Sequence, residues 1–259
     1  MTAAPPAVFD SIAASYDDLW TCKPAGVLQR QAVWRQVDPL IERGHRVLDL
    51  GCGTGEDAVH FAGLGASVLA LDISSGMVAR ACEKGANAHV MRVEDVGKMQ
   101  GASGLISFDL ILANFGVMNC VRDLSRLREP LSRLVRPNGH LAICLMGRFC
   151  LWESGYYGFQ GKFSKAARRW FGETQASLGL KVYYPLVRQV RDALSPEFDL
   201  CTDTGIGVCV PPSFVPALPA GLLRAFGRID QLIAGLGVAR VVADHRLLVF
   251  QRMQARREV

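Results

Sequence analysis

The sequence predicts an α/β fold: a doubly wound, seven-stranded sheet flanked by helices, with a cap built from late insertions. Three observations predict it. Short runs rich in Val, Ile and Leu alternate with helical patterns through the first 150 residues, and alternation of that kind builds a parallel sheet with helices on both faces. The first run leads straight into a glycine-rich turn that opens a helix, a connection that brings backbone close to a ligand. After Gly147 the rhythm breaks into two irregular stretches, long enough to fold over the sheet's carboxyl edge, where open α/β sheets bind ligands.

Taken in order, residues 46–50, 67–72, 89–93, 108–114 and 140–146 read as buried strands bounded by Gly, Asp or Asn. Helical patterns fill 56–64, 74–84 and 122–135. In the last, Leu124, Leu127, Leu131 and Leu134 recur at helical spacing, with Pro130 as a kink. Ser74 is placed to cap its helix and Gly85 to stop it. Residues 148–184 are aromatic-rich and irregular, and 185–194 returns to helical spacing through Leu186, Val187, Val190 and Leu194. Residues 198–210 read as a strand closed by Pro211 and Pro212. A second irregular or helical stretch, 213–243, precedes a last strand at 245–251.

Half of the 259 residues are hydrophobic and a fifth are charged, the balance of a globular chain rather than a disordered one. Lys plus Arg number 29 against 24 for Asp plus Glu. The excess is scattered, apart from a short tail at Arg252, Arg256 and Arg257, and no basic stripe is interleaved with aromatics. Nucleic acid is therefore not expected as a partner. The eight cysteines show no CxxC spacing; several lie in apolar runs as small hydrophobes. With no secretory segment at the start, disulfides are not expected and the cytoplasm is the expected compartment. No metal-ligand cluster stands at recognisable spacing. The most apolar long stretch, 218–242, is interrupted by Arg224, Arg228, Asp230 and Arg240, so stable membrane insertion is not expected.

The stretch from Val47 to Gly55, VLDLGCGTG, carries the strongest signal. A dinucleotide site asks for G-x-G-x-x-G, so that a pyrophosphate can sit on the helix N-terminus. Here the third glycine comes one residue early, and Glu56 and Asp57 occupy the helix start. Two carboxylates there suit a ligand that carries an ammonium or sulfonium group in place of phosphate. Asp72 ends the second strand about twenty residues on, where an acidic side chain can accept both hydroxyls of a ribose; the bland alternative is a helix cap.

VLDLGCGTG followed by LALDISSGMVARA resembles the cofactor half of class I (Rossmann-like) S-adenosylmethionine (SAM)-dependent methyltransferases, of the small-molecule type. The similarity continues through Arg92-Val93-Glu94-Asp95, FDLILANFG and LSRLVRPNGHLAICLM, and FDSIAASYDDLW resembles a short N-terminal segment folded over the cofactor. The resemblance implies a mostly parallel sheet whose last strand is antiparallel. It implies one domain over 1–259, with a helical lid (1–45), a SAM-binding core (46–147) and cap insertions at 148–184 and 213–243. Asp49 and the backbone of Gly51 and Gly53 would face the methionine part of SAM. Asp72 would take the ribose and Ile73 pack against the adenine, with Asp95 or its neighbour Glu94 at the adenine amino group. Asn114 would line the site beside the sulfonium. Tyr16 would act as a lid, or else as a core tyrosine.

SAM supplies its own reactive group, so the protein's task is to position an acceptor and exclude water. The motif Ala113-Asn114-Phe115-Gly116 is not the Asn/Asp-Pro-Pro-Tyr of enzymes that methylate adenine or glutamine nitrogens. A small organic acceptor is expected instead, methylated on O, N or C. Arg148, Trp152 and Tyr157 are the candidate acceptor contacts; they are equally readable as the cap's own core. His245 is the candidate general base, or else a structural histidine, with Tyr156 a second candidate. Two alternatives stay open: a SAM-binding regulatory or partner protein without turnover, and an enzyme acting on a lipid or quinone at a membrane surface, suggested by the apolar 218–238 stretch.

Overall fold

The structure, a computed structural model, describes residues 7–99, 107–175 and 179–254. Along the chain run α1 (Ala7–Asp10), α2 (Pro24–Val37), β1 (Arg46–Leu50), α3 (Glu56–Gly63), β2 (Ser67–Asp72), α4 (Ser75–Glu83), β3 (Ala88–Val90) and β4 (Phe108–Ala113). Then come α5 (Ser125–Leu134), β5 (Val135–Met146), α6 (Leu151–Phe159), α7 (Phe163–Ala166), β6 (Glu173–Gln175), β7 (Lys181–Tyr183) and α8 (Val187–Leu194). The chain finishes with β8 (Phe198–Ile206), α9 (Ala220–Ile233), α10 (Gly237–Val242) and β9 (His245–Arg252).

Seven strands form one sheet in the order β3-β2-β1-β4-β5-β9-β8. β9 alone is antiparallel, its His245 opposite both Met146 of β5 and Ile206 of β8. The seven strands and the single reversed one agree with the sequence expectation. As a result the carboxyl ends of β1, β2, β4 and β5 and the start of β9 share one edge of the sheet.

Side chains alternate between the faces with the period of a pleated strand. Leu48, Leu50, Ile111, Leu141, Leu248 and Phe250 pack on one side with Leu127 and Leu131 of α5 and Val190 and Leu194 of α8. Val47, Leu110, Leu112, Ala142, Leu247 and Val249 pack on the other with Val33 and Val37 of α2 and Phe61 of α3. Both faces are dry, which explains why the strands read as unbroken apolar runs.

Ser74 caps α4, its hydroxyl accepting from the Met77 amide at 3.1 Å. Gly85 follows that helix at φ +89°, the left-handed stop that glycine adopts without strain. Several boundaries differ from expectation. The third strand pairs only over Ala88–Val90, because a 3-10 turn starts at Val93. α5 starts at Ser125, where Asp123 accepts from both the amide and the hydroxyl of that serine. It continues through Pro130 to Leu134, and β5 begins at once, with a register shift opposite Phe108 and Leu110. β8 stops at Ile206, because Gly207 turns at φ +71°. Residues 213–243 contain α9 and α10, and 148–184 contain α6, α7 and the β6–β7 hairpin. Arg256 and Arg257 lie outside the described residues. Among the described residues no helix is long and apolar enough to cross a membrane.

Candidate active site

A cavity of about 1470 Å³ opens at the shared strand edge, lined among others by Gly51, Gly53, Asp72, Asn114, Met146 and His245. Such a volume exceeds what one small ligand usually needs and leaves room for two.

At one end lies the glycine loop. Gly51 adopts φ +71°, and a Cβ there would stand 2.3 Å from Cγ2 of Val117, so only glycine fits. Four of the loop's amides are engaged internally. Gly51 and Cys52 donate to the Leu71 carbonyl at 2.7 and 2.9 Å, Gly53 to Asp72 Oδ2 at 2.9 Å, and Gly55 to the Cys52 carbonyl at 2.9 Å. A pyrophosphate needs free amides there, and these four are already taken. The preference expected from Glu56 and Asp57 therefore has a different source. Glu56 pairs with Lys84 at 2.5 Å. Asp57 accepts from Arg30 at 2.6 Å, Trp34 Nε1 at 2.7 Å and Asn114 Nδ2 at 2.9 Å. Both line the cavity, but each already has a cation against it.

Asp72 receives the Gly53 and Ser74 amides, one on each oxygen at 2.9 Å. Burial raises its pKa above the usual carboxylate value, with those amides opposing. Ile73 and Glu94 line the same end. Asp95 does not: it pairs with Lys98 at 2.7 Å, which holds its pKa down. Of the two adjacent carboxylates, Glu94 is the one at the cavity.

Asp49 also departs from expectation. It is fully buried beneath the loop and does not line the cavity. Among the described residues neither oxygen completes a hydrogen bond. Burial first, then the Asp57 and Asp72 charges, raise its pKa well above normal; the Arg30 charge and the Ala58 amide oppose them. A raised folded pKa means the carboxylate weakens the fold as pH rises through that value, and not at all below about pH 4, where both states hold the proton. Asp49→Asn should therefore stabilise the ligand-free protein at neutral pH by about 1 kcal/mol, an advantage that vanishes in acid. Urea melts at neutral and acidic pH check this, and a less stable variant at neutral pH would refute it.

The N-terminal segment closes over this end and is pinned by two carboxylates that sequence reading passed over. Asp10 accepts from the Ser74 hydroxyl at 2.5 Å and the Gly76 amide at 2.9 Å. Asp17 accepts from the Thr54 hydroxyl at 2.6 Å and pairs with Lys84 at 2.7 Å. Tyr16 lines the cavity with its ring 5.1 Å from that of Trp20, and burial raises its pKa.

The other end is built around His245. Its Nδ1 lies 3.3 Å from Asp244 Oδ2, at ion-pair distance without the alignment of a made hydrogen bond. Phe115 meets the imidazole edge-on, centroids 5.2 Å apart. Phe115 holds φ +44°, a conformation a bulky residue adopts only under constraint, and its amide donates to Asn114 Oδ1 at 3.0 Å. Asp244 is buried; burial alone would raise its pKa, but the neighbouring His245 ring and the Arg169 guanidinium outweigh that and keep it well below the carboxylate range. Arg169 bridges Asp244 Oδ1 at 3.0 Å and Glu153 Oε2 at 2.7 Å, and Arg168 takes Glu153 Oε1 at 2.5 Å.

The cap residues expected at the acceptor do not line the cavity. Arg148 Nε donates to the Tyr184 carbonyl and Trp152 Nε1 to the Cys209 carbonyl, both at 3.0 Å. Tyr156 and Tyr157 pack against each other, and Tyr157 stacks on Phe214 at 5.7 Å. They are the cap's own core. The cap reaches the cavity through Arg168, Arg169, Tyr183 and Phe214; the two arginines carried no sequence signal for this place.

Among the described residues no three His, Cys, Asp or Glu side chains gather as a metal would require. Residues 48–143 match the family described as methyltransferase domain. The match runs from β1 into β5 and covers 96 of the 259 residues. Curated relatives include the demethylmenaquinone methyltransferases of Mycolicibacterium vanbaalenii, 34% identical over 141 residues (53% of this chain, 58% of the relative), and of Thermobifida fusca, 35% over 145 residues (53% and 59%). The chain thus spans little more than half the length of the curated relatives it matches. A solved S-adenosylmethionine-dependent methyltransferase from Mesorhizobium loti shares the fold at TM-score 0.56 and 20% identity, covering 85% of this chain and 97% of that one. The matched residues include the glycine loop, Asp72, Glu94 and Asn114, while the lid, the cap and β9 lie outside them.

Proposed function

We propose that the protein transfers a methyl group from S-adenosylmethionine to a small organic acceptor. The observation that carries the reading is the division of one cavity: a glycine loop with Asp72 and Glu94 at one end, His245 with Asp244 at the other. Asp72 would use its remaining lone pairs for two ribose hydroxyls, Ile73 and Glu94 would hold the adenine, and Asn114 and the glycine loop would hold the cationic end. Bound SAM supplies an electrophilic methyl on a sulfonium and leaves as a thioether, so the chain need only orient the acceptor, exclude water and take one proton. Asp244 beside Nδ1 favours the tautomer that leaves His245 Nε2 to accept that proton from a hydroxyl. Phe115, Met146, Tyr183 and Phe214 give the acceptor end apolar walls, suited to an aromatic body; the curated relatives are named for demethylmenaquinone, a quinone.

Incubating the protein with SAM and a panel of phenols and hydroquinones tests this. S-adenosylhomocysteine should accumulate with a subset of acceptors. SAM binding with no turnover across the panel would favour the non-catalytic alternative instead.

A further inference from the structure

The outer surface of the cap is unusually apolar for a face open to water. Phe159, at the end of α6, is 97% exposed, Phe163 72% and Phe171 82%. On the second cap stretch Leu232 is 82%, Leu236 59% and Val238 78% exposed. In α9, Leu222, Ile229 and Leu232 continue one exposed stripe, while Leu223, Gly227 and Asp230 form the buried face. The two stretches are joined inside by Trp152 against Phe226, centroids 6.3 Å apart. Exposed apolar side chains of this size, repeated along both cap stretches, mark an interaction surface.

Charge selects among the occupants. Residues 148–184 hold six basic and two acidic side chains and 213–243 hold three and one; of the basic ones Arg168, Arg169 and Arg240 are paired with Glu153, Asp244 and Asp203 and do not contribute to the outer face. Lys162 and Lys165 sit between Phe159 and Phe171 and are exposed. Arg224 and Arg228 flank the α9 stripe, exposed and without an ion-pair partner among the described residues. A second copy of the chain would bring the same positive charge against itself, since a two-fold interface pairs a patch with its own image. Large apolar side chains interleaved with Lys and Arg are what an anionic lipid surface binds, the apolar groups entering the acyl boundary and the cations meeting headgroups.

We propose that the cap docks the protein peripherally on anionic bilayers. The inference stands independently of the methyl-transfer reading, since none of the docking residues lines the cavity. Flotation of the full chain with vesicles of phosphatidylglycerol and phosphatidylcholine tests it, against phosphatidylcholine alone and across a salt series. Binding should require the anionic lipid and weaken with salt. Lys162→Glu with Lys165→Glu should reduce it at least about tenfold, and Phe159→Ser with Phe163→Ser should reduce it as well, both variants keeping the parent melting curve. No flotation with anionic vesicles, or equal flotation of both variants, overturns the proposal. So does self-association of the parent chain in sedimentation that the same substitutions abolish, which would make this face an interface between copies.

Discussion

Replacing Glu153 with Ala should lower the stability of the protein by about 3–5 kcal/mol, roughly 10 °C in melting temperature. Glu153 is buried on α6 and receives both Arg168 and Arg169. Arg169 is itself buried and reaches further, to the Asp244 carboxylate and to the Gly147 and Asp244 carbonyls. Taking two such ions out of water is costly, and the arrangement holds because each cation has a carboxylate against it. Removing Glu153 leaves the Arg169 charge with a single carboxylate in a dry site, and the cost of the unmatched ion exceeds the worth of any one hydrogen bond. Glu153→Gln keeps the shape and one acceptor, so its loss should be smaller. Urea and thermal melts decide the point; a change below about 1 kcal/mol would show that water reaches the cluster and screens it.

His245→Ala should lower kcat by about 10²–10⁴-fold with SAM affinity within about twofold of the parent. The size follows from removing a proton acceptor from a site whose remaining groups are engaged: Arg168 and Arg169 with Glu153 and Asp244, Asn114 with Asp57. A merely structural histidine would behave differently, since its loss would disturb Phe115 and appear as lower stability with modest change in rate. Two further readouts separate the cases. Imidazole in the buffer should restore part of the rate to the Ala variant, and Asp244→Asn should lower kcat by mishandling the tautomer while leaving the Michaelis constant for the acceptor nearly unchanged. A full rate in His245→Ala would remove it from the chemistry.

The sheet was legible because both of its faces are buried, so each strand announced itself as a continuous apolar run ending in Gly, Asp or Asn. The cofactor end was legible for a related reason: a glycine at Gly51 and an acid at Asp72 are demanded by local backbone geometry, and local demands are written in contiguous residues. What failed was whatever depended on distant segments meeting. Asp57 reads as a free carboxylate at a helix start until α2 brings Arg30 and Trp34 against it. Asp49 reads as a site residue, yet the loop that passes over it buries it. Trp152 and Tyr157 have the composition of an acceptor pocket and also of a small core, and only the positions of Cys209 and Phe214 decide between them. Arg168 and Arg169, which do reach the acceptor end, sit in a stretch with no periodicity to anchor an expectation. Phe115 carried no sequence signal, because a strained left-handed phenylalanine is visible only once its backbone is seen.

The central claim is that one end of the cavity holds SAM through Asp72. Isothermal titration of the parent chain and of folded Asp72→Ala with SAM, and of the parent with NAD, tests it most directly. The account predicts saturable one-to-one binding of SAM to the parent, binding weakened by about 1–3 kcal/mol in the variant, and no heat with NAD. Equal SAM affinity in parent and variant, or binding of NAD in place of SAM, would contradict it.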